Sequence, residues 1–203
     1  MGSITRSFAN LITANGPSAV ADGSVTTADI SGNINFKNIL INGDMRIAQR
    51  GTSTSSITSD NTFPSCDRWK LRLTTLGTWT QSQSTTVPSG QGFGYSLKMD
   101  CTTADASPAA GDRVFVKQPI EGQMLQHLKK GTSSAESLTA SFWVRSNKTG
   151  TYICEIYDED NSRSISKSYT ISSADTWEKK TITFDGDTSG PLGNDNNESL
   201  FVV

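Results

Sequence analysis

The sequence predicts an all-β protein: a β-sandwich or barrel with one short helix, preceded by an extended N-terminal arm. Two observations carry that prediction. From Lys37 onward, short segments rich in β-branched and aromatic residues recur, separated by Gly, Asn, Asp and Ser. One of them, RWKLRL at Arg68 to Leu73, alternates strictly. Trp69, Leu71 and Leu73 fall on one side and Arg68, Lys70 and Arg72 on the other, the period of a half-buried strand. A third observation sets the arm apart: residues 1–37 are small and polar and lack this alternation.

In the arm, Phe8, Leu11 and Ile12 stand at i, i+3 and i+4 and share one side of a short helix. So short a helix is marginal alone. The following ANGPSAVADGSVTTADISGN has too little bulk to bury a core of its own. On the residues alone it reads either as a disordered tail or as an arm that orders on a partner or in an oligomer. The body, residues 38–203, opens with KNILIN as a strand and Asn42-Gly43 as a turn that accepts positive φ. TWTQSQ, GYSLKMD and RVFVKQPI read as further strands, the last closed by Pro119. EGQMLQHLKKG (Glu121 to Gly131) reads as the helix: Met124, Leu125 and Leu128 form its apolar face, Lys129 and Lys130 suit its C-terminal end, and Gly131 caps it. SLTASFWVRS, TYICEIYDED, RSISKSYTIS and TWEKKTITF complete the strands. ESLFVV ends the chain on an apolar run without a turn. Such an edge exposes unpaired backbone, so the expectation is that Val203 is a truncation point or that this strand pairs outside the chain.

Composition narrows the function. Ser and Thr number 53 of 203 residues, charged residues make up 19%, and the net charge is −2. No basic stripe follows a phosphate backbone, so nucleic acid is not an expected partner. The apolar runs are too short to span a bilayer, and the N-terminus lacks a signal peptide's continuous apolar segment. Export by lysis or assembly is expected. Cys66, Cys101 and Cys154 form neither a disulfide framework nor a zinc pattern and read as buried free thiols, which fits a reducing site of synthesis.

Catalytic signatures are scarce. His127 is the sole histidine, with no marked nucleophile nearby. The carboxylates of YDEDN (Asp158, Glu159, Asp160) and DGD (Asp185, Asp187) could in principle hydrolyse glycosides but read better as turn residues. FDGDTSG and GNDNNE are oxygen-rich but lack the spacing of a calcium loop. No catalytic residue, metal ligand or cofactor is therefore expected. Sugar rings stack on flat aromatic faces. Trp69, Trp79, Trp143, Trp177, Tyr95, Tyr152 and Tyr157 could each form such a platform; Trp143 and Trp177 read as core, and Trp79 and Tyr95, in more polar surroundings, are the better candidate glycan-stacking residues.

NILINGDMRIAQRGTS (Asn38 to Ser53) resembles the opening of the folded domain in many bacteriophage tail-fibre and virion structural proteins, particularly from marine phages. Asp67-Arg68-Trp69 stands where those proteins carry D-R-W. SFWVRSNKTGTY and SYTISSADTWEKKTITFDGDTSG resemble their later strands, and ADGSVTTADIS is similar to their linkers. The resemblance covers nearly the whole chain. The opening also looks like the N-x-x-N-G-D-F-E start of carbohydrate-binding-module jelly rolls, whose Glu commonly helps hold a structural calcium. Here Met45 and Arg46 replace Phe-Glu, so no metal ligand is carried over.

The resemblance implies a jelly roll, often trimeric, mounted on a virion, with further strands beyond Val203. It implies a tail fibre without enzymatic activity, made in the host cytoplasm and resident in the virion tail. Residues 1–37 would anchor it to other tail or virion proteins through Phe8, Leu11 and Ile12, and a host-surface glycan is the expected external ligand. The alternatives are a capsid decoration or head-fibre protein, and a carbohydrate-binding module of a secreted polysaccharide-active protein.

Overall fold

The computed structural model describes residues 38–60 and 63–203. Phe8, Leu11 and Ile12 lie outside them. Ten strands follow in chain order: β1 (Ser53–Ile57), β2 (Lys70–Thr74), β3 (Thr78–Ser84), β4 (Ser96–Thr103), β5 (Arg113–Glu121), β6 (Leu138–Val144), β7 (Gly150–Asp158), β8 (Arg163–Ile171), β9 (Glu178–Phe184) and β10 (Glu198–Val202). They form an antiparallel β-sandwich. One sheet has the order β2-β5-β10-β7-β8, the others β1-β3-β4 and β6-β9.

Period-two alternation decides which side chains enter the core. In the large sheet Leu71 lies opposite Val116 and Leu73 opposite Val114, Ile120 opposite Leu200, and Ile156 opposite Ile165. These residues share one face. Its β2–β5 half packs Leu71 and Leu73 with Ile57, Trp79 and Met99 of the three-stranded sheet. Its β7–β8 half meets the β6-β9 sheet, where the Phe142 and Tyr169 rings sit edge to face at 5.2 Å. Full burial of each such leucine contributes about 2 kcal/mol.

Several expectations change. ESLFVV is not an edge seeking an outside partner: β10 lies between β5 and β7 and pairs with both. In the KNILIN passage, residues 38–42 are not a strand. Residues 41–44 turn, and Gln118 of β5 takes the place of a strand partner: its Oε1 accepts from Ile41 N at 2.7 Å, and its Nε2 donates to Ile41 O at 2.8 Å. The Asn42-Gly43 turn is present, with Asn42 itself at φ 55°. Its side chain holds the following loop through Ile47 N, Ile47 O and Asp67 O, each at 2.9 Å.

The helix over Glu121 to Gly131 is replaced by two 3₁₀ turns, Gly122–Met124 and Gln126–Leu128. A spacing of three suits 3₁₀ geometry: Leu125 and Leu128 are buried while Met124 is 39% exposed. Gln126 ties the turns down by donating to Gly122 O and Gly193 O, both at 2.9 Å. Cys101 is exposed on β4, unlike buried Cys66 and Cys154. Trp143 and Trp177 are half-buried rather than enclosed.

Candidate functional site: a charged aromatic cleft on the large sheet

The face of the large sheet opposite its core carries the residues that alternate with the core-facing ones, and of these Lys117 and Phe201 are themselves buried. On β2 these are Lys70 and Arg72, and on β5 Arg113, Phe115 and Lys117. On β10 the residue is Phe201, and on β7 Glu155 and Tyr157. Together with Glu159 and Glu198 they line a cleft of about 480 Å³. Basic groups come from the β2–β5 side and the Glu155 and Glu159 carboxylates from the β7 side, so the cleft is polarised across its width.

Its centre is held by Glu198. One carboxylate oxygen accepts from Lys70 Nζ at 3.0 Å and the other from Lys117 Nζ. Burial pushes the Glu198 carboxyl up, but the hydrogen bonds from Lys117 and Lys70 outweigh it, and the group titrates below the ordinary glutamate value. Lys117 also lies 3.7 Å from the centroid of the Phe201 ring, a cation–π contact within its effective range. Phe201 in turn stacks on Tyr157, centroids 4.7 Å apart and planes 17° off parallel. Arg113 lies over the Phe115 ring at 5.8 Å, and Glu155 accepts from Ser166 Oγ at 2.5 Å. Beside the cleft, Arg68 grips Glu121 with two bonds of 2.8 Å, and this hydrogen bonding lowers the Glu121 carboxyl from its usual range.

Tyr157 and Phe115 bring half-buried rings to the cleft and the lysines, arginines and glutamates bring charge, whereas the Phe201 ring is buried between Tyr157 and Lys117. Ring faces can take C–H surface, and the polar groups can fix hydroxyls or charged substituents.

The residues singled out by sequence lie elsewhere. Trp79 is half-buried against Ile57, Leu71 and Leu73, with its indole N–H donated to Leu76 O at 2.6 Å. Tyr95 is 37% exposed just before β4. Neither lines the cleft. Tyr157 is among the strand rings that the sequence offers, whereas Phe115 and Phe201 are not, although RVFVK already alternates ring or charge against small apolar residues. The acidic clusters behave differently: Asp158 and Asp187 converge on Lys130. Among the described residues, no group of three or more His, Cys, Asp or Glu is placed to hold a metal ion, and no helix is long and apolar enough to cross a membrane.

No protein-family model matches the sequence, and no curated protein matches it significantly. Among solved structures, it is similar to the enzymatically active domain of tailspike protein 4 of bacteriophage CBA120, at 18% identity and a TM-score of 0.45. That similarity covers 73% of this chain and 18% of the other, so this chain spans less than a fifth of that protein's length.

Proposed function

We propose that this chain is a structural protein of a bacteriophage virion, a tail fibre or a segment of one, which binds and assembles without catalytic turnover. Residues 1–37 attach it to other tail proteins, a trimer gives several attachments at once, and the cleft on the large sheet supports recognition of a host-surface glycan. The observation that carries the recognition role is the Tyr157–Phe201 stack in a cleft lined by both signs of charge. The virion role is supported by the order and spacing of NILINGDMRIAQRGTS, Asp67-Arg68-Trp69 and the later strand passages.

Labelling the β-sandwich on purified particles and imaging them tests the reading. Label at the tail is the expected outcome. Label on the capsid would make the chain a decoration or head-fibre protein. Free protein that binds polysaccharide and labels no particle would overturn the virion reading in favour of a carbohydrate-binding module.

A further inference from the structure

Lys130 follows the two 3₁₀ turns, and its side chain is 10% exposed. Four oxygens surround its ammonium: Asp158 Oδ2 at 2.5 Å, Gly190 O at 2.7 Å, Ser189 O at 3.0 Å and Asp187 Oδ2 at 3.1 Å. They come from the end of β7 and from the loop after β9. An ammonium has three protons to donate, so four oxygens form a cage around a charge rather than a matched set of hydrogen bonds. Two carboxylates and two backbone carbonyls are the donor types that a hard cation takes.

The cage is built independently of the lysine. Asn161 N and Nδ2 donate to Asp158 at 3.1 and 2.9 Å, and Asn161 Nδ2 also donates to Pro191 O. Asp187 Oδ1 accepts from Arg163 at 3.0 Å and from Ser189 N at 2.9 Å. Two glycines let the walls close: a Cβ on Gly131 would come within 2.6 Å of Pro191 N, and one on Gly190, at φ +69°, within 2.7 Å of Asn161. The cage also borders a cavity of about 310 Å³ floored by Leu128, Ile156 and Phe184, which gives small ions a path to it.

We propose that Lys130 is a tethered structural cation: its ammonium occupies a hard-cation site that clamps three loops at this end of the sandwich, and a divalent cation can take the site once the side chain is removed. The wild-type clamp is therefore insensitive to calcium and to chelators, whereas a Lys130 variant becomes calcium-dependent.

The test compares thermal unfolding of the full chain as wild type, Lys130→Ala and Lys130→Met, in EDTA, calcium chloride or ammonium chloride at matched ionic strength. Asp158, left without a cationic partner, and Asp187, left with Arg163 alone, should lower the Tm of both variants by about 10 °C. Calcium, and more weakly ammonium, should restore at least half of the Lys130→Ala loss, with no effect on wild type. Wild-type stability for Lys130→Met, or a Lys130→Ala variant that neither cation restores, would overturn the proposal. If Lys130→Ala does not fold, an Asp158→Asn, Asp187→Asn variant of the intact-lysine chain gives the second reading. It should lose a similar Tm and gain nothing from calcium. A wild-type intact mass short of one water would also overturn the proposal, since the Lys130–Asp158 pair would then be an amide.

Discussion

The side-chain amide of Gln118 hydrogen-bonds both backbone groups of Ile41, a residue 77 positions earlier in the chain. Gln118 is fully buried, so these two bonds replace the water its amide would otherwise need. Gln118→Leu keeps the volume but strands the Ile41 N–H and C=O. The expected loss is about 2 kcal/mol, read from urea unfolding. Faster amide exchange at Ile41 should accompany it, whereas unchanged exchange there would mean that the opening loop is held by other contacts.

Removing Glu198 should cost more than a surface ion pair, because Lys117 is only 8% exposed and loses its carboxylate. Glu198→Ala is expected to lower stability by about 2–3 kcal/mol. Lys70→Ala, which leaves Lys117 paired, should cost about 1 kcal/mol or less. Equal losses would show that the Lys117–Glu198 contact adds nothing beyond the Lys70 pair.

Acid should unfold the protein through the same groups. Glu121 and Glu198 titrate below 4.5, and Asp187 below 3.8, in the folded state. For Asp187, burial raises the value, but the Ser189 backbone bond and Lys130 together bring it down. With folded values depressed, the unfolded chain takes up protons first as the pH falls. Stability is thus full above about pH 4.5 and is lost as the pH falls through the folded values. Tm measured from pH 7 to pH 3 should drop steeply only in that lower window, and Glu198→Gln should flatten the drop.

Thiol chemistry should separate the cysteines. Burial raises the Cys66 and Cys154 thiols above their ordinary value, whereas Cys101 is exposed. A neutral thiol reagent should label one site in native protein and three after unfolding. Native labelling of Cys154 would mean that the sandwich opens on the labelling timescale.

On the proposed recognition role of the cleft, Tyr157→Ala should weaken glycan binding about tenfold, equivalent to about 1.4 kcal/mol. Trp79→Ala should instead lower Tm, because its ring belongs to the core cluster. Isothermal titration against a panel of host polysaccharides, with Tm measured in parallel, distinguishes the two.

The fold class was legible because alternation is a local signal: RWKLRL fixed the two faces of β2 before any neighbour was known. The site was less legible because a cleft is a property of register. Tyr157 meets Phe201 only because β10 enters beside β7, and nothing within TYICEIYD specifies that neighbour. The 3₁₀ turns were misread for a similar reason. A spacing of three between Leu125 and Leu128 fits either helix type, and Gly193, far along the chain, is one of the two carbonyls that tie the turns through Gln126. Asp158, read from the sequence as a turn residue, instead closes β7, and Asp187 lies in the loop after β9; their meeting at Lys130 depends on segments far apart in the chain.

The position of β10 has a consequence for synthesis. Among the described residues, the large sheet joins β5 to β7 through the segment 198–203, so the emerging chain carries two half-sheets with a vacant slot until that segment clears the ribosome. Such late, non-local closure makes for slow folding and a nascent intermediate with two unpaired strand flanks. A polypeptide stalled before residue 198 should therefore be more protease-sensitive and more chaperone-bound than one stalled far enough on for β10 to have emerged.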